Sequence, residues 1–506
     1  MDFKSYIQGK KKMKIKTFSE YAEEGKYDPI SVGIIVSIFA FMIFAAVFIL
    51  SWVGVLALIA GAGIVAYQLL MPRPKNLFYA YGHKNRLSSF SIILLTMPFV
   101  IGAIVAFDHH TIYEKPIHAV LLWAMVVTFW LNLLFGPVSL VSKFREEVIP
   151  FPKSYPSMSV LVPAYNEEKV ISRTIESLLI TDYPGKLEII VIDDGSKDST
   201  LQIARRFERK GIKILHKENG GKATALNFGF TMSKGEIIVI VDADTIVGRH
   251  SLKQIMKGFS TRPNVQAVAG NIRVRNPKNW ITKCQSLEYI SGIQVVRRSF
   301  DLHGAITIIP GALGAITRSA INSVGAYHSD TIVEDFDISI KCLKNGPIAQ
   351  GHTEAVAYTE CPTTISDFNK QRKRWARGNI QVIKRHSDCL TNSRFGYLQR
   401  LAFPYLIIGM FIMPAIGFIA IGNAIVVSLM GSVFWVLQIV MIFFALHMML
   451  SWLAIRLDDG DMKLMWYAPF LAFGYRQICD YILIKAVIDE IRGKKATWTS
   501  AARIGV

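Results

Sequence analysis

Residues 187–196 have the sequence LEIIVIDDGS, in which a run of mostly β-branched residues ends at two aspartates and a glycine. Similar runs occur on either side of it, SVLVPAYNEE at 159–168 and EIIVIVDAD at 236–244. Between the runs, segments such as Lys169–Ile180 have the spacing of an amphipathic helix. This alternation predicts an α/β domain with a mostly parallel sheet. Ligands of such sheets bind beyond the carboxyl ends of the strands, where all three runs place polar residues.

Long uncharged stretches precede this domain. No charge interrupts the chain between Asp28 and Arg73, which is enough for two membrane helices joined by a turn near Ser51–Gly54. Two further apolar runs, Ser88–Phe107 and Ile117–Val141, bring the expected number of spans to four. An even number of spans returns the chain to the side from which it started.

A second apolar region follows the domain. The stretch between Arg400 and Arg456 is uncharged and long enough for two or three spans, with Pro404 and Pro414 as expected kink sites. The final segment, Leu464–Ile491, carries charges within an apolar pattern, so spanning, re-entrant and interfacial placements are all open. The sequence therefore predicts an N-terminal transmembrane region at 1–150, a cytosolic domain at 151–390 and a C-terminal interfacial and transmembrane region at 391–506.

The chain is both apolar and basic, with 51% hydrophobic residues and a formal net charge of +19. Much of the positive excess flanks the apolar runs, at 10–16, 73–86 and 492–495. Basic residues beside spans mark the cytosolic side, so we expect a multi-pass protein of the cell membrane whose central domain faces the cytosol. Its charged partners are then membrane lipids and not nucleic acid. The five cysteines lack CxxC spacing, which indicates neither a zinc site nor a disulfide framework.

The aspartates that end the second run have two interpretations. Asp194 can accept a hydrogen bond from an imide N–H such as that of uracil, while Gly195 lets the backbone approach a ligand closely. The alternative is a simple Asp-Gly turn without a ligand.

The third run ends in Asp242-Ala243-Asp244. Two carboxylates at one strand end repel each other unless a cation joins them. A hard divalent cation, Mg²⁺ or Mn²⁺, held by Asp242 and Asp244 would still have positions for diphosphate oxygens. A solvated turn or a helix cap is the alternative for so short a motif.

Two later motifs add a base and a group of cations. Glu334-Asp335 opens an amphipathic segment, so it is either an acidic helix start or a site in which Asp335 takes a proton from a sugar hydroxyl. In Gln371–Trp375, Arg374 could pair with a diphosphate and Trp375 could offer a flat face to a sugar ring. A basic anchor at the membrane interface is the alternative for that motif. Lys222 could reach a phosphate or be an ordinary surface lysine.

In order along the chain, these motifs resemble those of the processive family 2 glycosyltransferases, the membrane synthases of cellulose, chitin, hyaluronan and poly-N-acetylglucosamine. The resemblance implies a GT-A (Rossmann-like) fold and inverting transfer of sugar from a UDP-sugar to a growing polysaccharide. It also implies that a metal and Arg374 assist departure of the nucleotide diphosphate, and that Asp335 activates the acceptor hydroxyl. The matching residues are Asp193-Asp194-Gly195, Asp242-Ala243-Asp244, Glu334-Asp335 and Gln371-x-x-Arg374-Trp375.

In the family, membrane helices beside the site form a tunnel that secretes the polymer, and the same is expected here.

The resemblance assigns the expected site residues either to the donor or to the acceptor. The acceptor is expected to contact Gly311, Glu334 and Trp375. The donor is expected to contact Ala164, Tyr165, Glu167, Asp193, Asp194, Lys222, Asp242, Ala243, Asp244, Gln371 and Arg374.

The product is left open by the sequence. Gly270–Asn276 and Val333–Ser339 look closest to the poly-N-acetylglucosamine synthases, which favours UDP-N-acetylglucosamine as the donor. Val333, where relatives often have Thr, and the four N-terminal spans depart from that group. Three alternatives remain: a hyaluronan- or cellulose-type synthase, a transferase that adds one sugar to a lipid, and a transporter. Accessory subunits are compatible with each of them.

Overall fold

The computed structural model describes residues 16–49, 59 and 135–494. Helix α2 occupies the position of the first expected span. The turn near Ser51–Gly54, the span Ser88–Phe107 and most of Ile117–Val141 lie outside the described residues. The described helices before the central domain are α1 (Phe18–Glu23), α2 (Pro29–Ile49) and α3 (135–148).

The strands of the central domain form two sheets. They are β1 (Met158–Ala164), β2 (Leu187–Asp193), β3 (Lys213–His216), β4 (Ile237–Ile240), β5 (Ile246–Val247), β6 (Ala267–Ala269), β7 (Asn271–Val274), β8 (Gly314–Thr317), β9 (Ile348–Gln350) and β10 (Val356–Thr359). The larger sheet has seven strands in the order β3-β2-β1-β4-β8-β6-β9. The smaller sheet has three, in the order β5-β10-β7.

The larger sheet is mixed but mostly parallel, as the sequence predicted, with four parallel pairings and two antiparallel ones. Strands β1 to β4 are parallel to one another, as expected. Strand β8 is antiparallel to both β4 and β6, with Gly314 opposite Ile240 and Thr317 opposite Ile237. Because β8 starts beside the carboxyl end of β4, it brings the preceding residue Gly311 to that same edge.

Both faces of the larger sheet are buried, which explains why its strands are continuous apolar runs. On β1, Leu161 packs into one apolar cluster, while Val160 and Val162 pack into the cluster on the opposite face. Strand β4 alternates in the same way, with Ile238 on the side of Leu161 and Val239 on the other.

Helices cover the sheet and continue beyond it. Those of the central domain are α4 (Ile171–Leu179), α5 (Thr200–Arg205), α6 (Lys222–Met232), α7 (Ser251–Phe259), α8 (Trp280–Ser291), α9 (Arg298–Asp301), α10 (Arg318–Ser323), α11 (Glu334–Asn345) and α12 (Ile365–Arg385). A π-helical segment, Gly292–Arg297, joins α8 to α9. Short 3₁₀ turns occur at Glu208–Lys210, Ser387–Leu390 and Ser393–Phe395.

One helical run among the described residues, Leu398–Asp458, is long and apolar enough to cross a membrane. It contains α13 (Phe403–Ile407), α14 (Met413–Val427) and α15 (Val433–Asp458), with π-helical segments at Leu398–Ala402, Ile408–Ile412 and Ser428–Ser432. The first two of these segments precede the expected kink sites, Pro404 and Pro414. A proline lacks the N–H needed for the regular helical hydrogen bond.

The strongest break in this run is at Gly431, which has a positive φ of 93°. On either side of it α14 and α15 pack together through Val427, Val436 and Ile439. The final segment contains a 3₁₀ turn (Met462–Tyr467), α16 (Ala468–Ala472) and α17 (Tyr475–Ile491).

A buried group of charges, here called the junction cluster, joins α3 to the central domain. It consists of Lys143, Glu146 and Glu147 from α3, together with Arg298 and His352. Lys143 Nζ lies 3.3 Å from Glu146 and also contacts Glu147, and Arg298 donates to the second oxygen of Glu146. The side chains of Lys143 and Arg298 are fully buried. Lys143 is therefore surrounded by protein.

Candidate active site

A cavity of about 520 Å³ lies beyond the carboxyl end of β4. Most of the sequence motifs meet in its wall. Of the expected site residues, it is lined by Lys222, Asp242, Asp244, Gly311, Glu334, Asp335, Gln371, Arg374 and Trp375.

Lys222 connects two of the motifs. It is the first residue of α6, and its Nζ lies 2.6 Å from Asp242 Oδ1 and 2.7 Å from Glu334 Oε1. Burial opposes the charge of this ammonium group, but Asp242, Glu334 and Asp335 raise the pKa of Lys222 well above its usual value. The Lys222 side chain lies among several carboxylates in the cavity wall, so the surface-lysine alternative is wrong.

Gly311 lies directly over this ion pair. A Cβ at position 311 would be 2.7 Å from Lys222 Nζ and 3.2 Å from Asp242 Oδ1. A side chain at position 311 would fit only if the Lys222 ammonium group, at the end of a flexible side chain, moved from its place beside Asp242.

Asp335 is a carboxylate of the cavity wall with a raised pKa. It lies in the first turn of α11, where its Oδ1 accepts a hydrogen bond of 2.8 Å from the Phe336 N–H. Burial and the charge of Glu334 raise the pKa of Asp335 to about 6, against the opposing effect of Lys222. A carboxylate with this pKa is ionised at neutral pH and is a stronger base than an ordinary aspartate.

Asp242 and Asp244 have the chemistry expected of ligands for a divalent cation. They lie in the turn between β4 and β5, and both line the cavity. Two carboxylates at the edge of a cavity suit Mg²⁺ or Mn²⁺, which prefer oxygen ligands and keep positions for phosphate or water. Another set of metal-type ligands among the described residues, Glu146, Glu147 and His352, belongs to the junction cluster. Lys143 contacts both glutamates there and already supplies a positive charge.

The two aspartates at the end of β2, Asp193 and Asp194, lie outside this cavity wall. Asp194 accepts from Lys217 Nζ at 2.7 Å and from the Gly221 and Gly220 N–H groups at 2.8 and 3.1 Å. Asp193 is buried and lies 2.7 Å from His216 Nδ1. Because Gly221 immediately precedes Lys222, Asp194 fixes the backbone at the start of α6.

Four other expected donor-binding residues also lie outside the cavity wall. The Ala164 carbonyl accepts from the Asp194 N–H at 2.9 Å, and the Glu167 N–H donates to Thr200 Oγ1 at 2.8 Å. Tyr165 is half-buried in the loop after β1. The Ala243 carbonyl accepts from Thr174 Oγ1 at 2.6 Å.

Several lining residues were not singled out from the sequence. Arg372 lies inside the Gln371–Trp375 motif, so its position in the motif was a usable signal. Glu288 and Arg297, in the segment 280–301, had no local signal because their place in the cavity depends on how that helix packs. Tyr405 and Leu406 complete the wall on the side of the long apolar run Leu398–Asp458.

Residues 159–325 match the family model described as Glycosyl transferase family 2. This segment is a family 2 glycosyltransferase domain. Within the central region the chain is 36% identical over 230 residues to the poly-beta-1,6-N-acetyl-D-glucosamine synthase of Staphylococcus epidermidis, covering 45% of this chain and 56% of that protein. The synthase of the same name from Staphylococcus aureus strain COL is 34% identical over the same shares. The chain thus matches little more than half the length of these curated relatives.

A solved structure supports the fold of the family 2 domain. The mannosyltransferase PcManGT from Pyrobaculum calidifontis, in complex with GDP-Man and Mn²⁺, superposes with a TM-score of 0.53 at 21% identity. The match covers 75% of this chain and all of that one. The expected resemblance to family 2 glycosyltransferases is confirmed, and the domain has a mixed α/β sheet of the GT-A type.

Proposed function

We propose that this chain is a membrane-embedded, inverting and processive glycosyltransferase that builds a β-linked polysaccharide from a UDP-sugar, in the first place UDP-N-acetylglucosamine. The observation that carries this proposal is the meeting of Asp242, Asp244, Asp335, Arg374 and Trp375 in one cavity. The identity to poly-N-acetylglucosamine synthases supports the choice of sugar.

In this mechanism Asp335 is the general base. It accepts the proton of an acceptor hydroxyl as the hydroxyl oxygen attacks the anomeric carbon of the donor sugar. The bond to the nucleotide diphosphate breaks on the opposite face, so an α-linked donor gives a β-linked product. Trp375 presents a flat face on which the acceptor sugar can stack.

The negative charge that develops on the diphosphate requires nearby cations. Lys222 and Arg374 line the cavity and supply positive charge to the leaving group. Asp242 and Asp244 would hold Mg²⁺ or Mn²⁺, which offsets diphosphate charge when bound.

We assign the uracil base to the ends of β1 and β2, near Asp193 and Asp194. Asp194 already accepts three hydrogen bonds, one of them from Lys217. Two of these bonds go to Oδ1 and one to Oδ2, so Oδ2 keeps an acceptor position for the uracil imide N–H.

The lining of the cavity supports a proposal for the path of the polymer. Tyr405 and Leu406 belong to the apolar run Leu398–Asp458 and also line the cavity, so the acceptor end of the site borders the helices that we assign to the membrane. We propose that the product leaves along these helices, in a multi-pass protein of the cell membrane with a cytosolic catalytic domain.

The test is incubation of the purified protein, in detergent or liposomes, with Mg²⁺ or Mn²⁺ and a panel of radiolabelled UDP-sugars. Release of UDP and formation of high-molecular-weight product are measured separately. Long polymer from UDP-N-acetylglucosamine alone supports the proposal, whereas a need for UDP-glucuronate as well indicates a hyaluronan-type synthase. UDP release without polymer favours single transfer or a missing subunit, and no turnover with any donor contradicts an enzymatic function.

A further inference from the structure

Three side chains from separate helices meet at the edge of the cavity beside Trp375. They are Glu288 of α8, Arg372 of α12 and Tyr475 of α17. Arg372 donates to both carboxylate oxygens of Glu288, at 2.9 Å for the bond to Oε1. The Tyr475 hydroxyl donates to Glu288 at 2.6 Å and accepts from Arg372 at 3.1 Å. We call these three residues the Glu288 triad.

The geometry of the Glu288 triad is closed and specific. An arginine that makes two parallel hydrogen bonds to one carboxylate is fixed in plane as well as in position. The tyrosine completes a ring of contacts among the three groups and is buried. Glu288 and Arg372 both also line the cavity, so the triad forms part of the wall of the site.

Arg372 in turn contacts the expected acceptor platform. Its guanidinium carbon lies 4.8 Å from the centre of the Trp375 ring and 4.9 Å from that of Phe368, on the same helix. A guanidinium stacked on an aromatic ring restricts the orientation of that ring. The direction of the Trp375 face therefore depends on Arg372, and that of Arg372 on Glu288.

We propose that Glu288 is a positioning residue for the acceptor sugar, acting through Arg372 on Trp375. This inference rests on the proposed function, because it assumes that the acceptor stacks on Trp375 next to Asp335. Tyr475 gives the triad a link to the C-terminal helix, which packs along α12 through Ala376, Ile380 and Ala486. Through Tyr475, α17 thereby influences the acceptor site although it does not contact the acceptor.

The test compares Glu288→Gln, which keeps the shape of the side chain but removes its charge, with Trp375→Ala and with the double variant. Each protein is assayed with UDP-N-acetylglucosamine and a short β-linked N-acetylglucosamine oligosaccharide. We expect Glu288→Gln to raise the acceptor KM about tenfold, because the Trp375 ring on which the acceptor stacks would no longer be held in place. The donor KM should stay within about twofold of the wild-type value. UDP released per sugar incorporated should rise, because water replaces a misplaced acceptor. The double variant should be no worse than Trp375→Ala alone.

The matched control is Asp28→Asn. Asp28 makes a similar two-bond pair with Arg456, at 2.9 Å for each contact, but it does not line the cavity. This variant should lower thermal stability without changing the acceptor KM. Arg372→Lys keeps the positive charge but cannot make the two parallel hydrogen bonds to Glu288. It should therefore reproduce the effect of Glu288→Gln.

The outcomes separate this inference from the proposed function. An active wild type with an unchanged acceptor KM in Glu288→Gln, or with effects of Glu288→Gln and Trp375→Ala that simply add, would overturn the positioning role alone. A wild type that incorporates no sugar would overturn both.

Discussion

The junction cluster and the cavity both contain buried carboxylates, yet their charges are balanced differently. At the junction, burial alone would raise the pKa of Glu146, but Arg298 and Lys143 lower it to about 2. In the cavity, burial and Glu334 raise the pKa of Asp335 to about 6 despite Lys222. The same kind of side chain is thus held as a permanent anion in one place and as a titrating base in the other.

The difference lies in the number of neighbouring cations. Glu146 contacts both Lys143 and Arg298, which suits a structural link between helices. In the cavity, Lys222 forms ion pairs with both Asp242 and Glu334 while Asp335 lies close by. The excess of negative charge in the cavity costs folding stability. It also favours binding of a metal cation together with the substrate, and it keeps Asp335 able to take up a proton.

The largest expected effect is on catalysis. Asp335→Asn should reduce polymer synthesis by about 100- to 10,000-fold, because the amide cannot accept the hydroxyl proton. Donor binding, measured by calorimetry with UDP, should remain near that of the wild type. Undiminished synthesis by this variant would refute the assignment of the base, and the exposed Asp330→Asn serves as the control.

At the junction, the corresponding change should act on stability. Arg298→Met leaves Glu146 buried with an incomplete set of cations, which should lower the free energy of unfolding by about 3–5 kcal/mol. Thermal unfolding in detergent measures the loss. Arg298→Met combined with Glu146→Leu should recover part of it, and no recovery would argue against a charge-balance origin.

The expected metal ligands give a further contrast with the junction. Asp242→Ala and Asp244→Ala should lower UDP affinity in Mn²⁺ to the level that the wild type shows in EDTA, because the phosphate-binding cation is lost. Glu147→Gln, in the other set of metal-type ligands, should keep the Mn²⁺ dependence. Wild-type affinity in both aspartate variants would count against their role.

The pH dependence of the rate should report the raised pKa of Asp335. The base is active when deprotonated, so kcat/KM should fall below about pH 6, by about tenfold per pH unit, and level off above it. A profile that is flat down to pH 5 would place the base elsewhere.

The smallest effect expected is on the stability of Asp335→Asn. Because folding raises the pKa of Asp335, the native state loses stability relative to the unfolded chain as the pH rises through about 4 to 6. Asparagine carries no such penalty. The variant should therefore melt slightly higher than the wild type above pH 6 and equally at pH 3, which is the opposite sign to Arg298→Met.

The sequence predicted those parts of the molecule that depend on local pattern. The buried runs gave β1, β2 and β4, and the motifs that follow strands or open helices supplied Asp242, Asp244, Asp335 and Trp375. Each of these residues lies within a few positions of a recognisable element, so its place in the fold follows from that element.

What the sequence missed depends on contacts between distant segments. The reversed direction of β8 is set by the route of the chain past the cavity, and strand patterns do not encode direction. Lys143 is buried against Thr353, 210 residues away, and its partner Glu146 accepts from Arg298, which is 152 residues from it. Glu288 acquires its place in the cavity wall only when α8, α12 and α17 pack together.

Gly311 limits how this protein can be altered by evolution or by design. Any side chain there would push the Lys222 ammonium away from Asp242, because a Cβ would lie only 2.7 Å from it. The exchange of a hydrogen for a methyl group would then change where the Lys222 charge lies relative to Asp242 and Glu334. A mutational scan that ranks positions by their own chemistry would overlook this one, although a residue without a side chain leaves the space that the Lys222 ammonium group occupies.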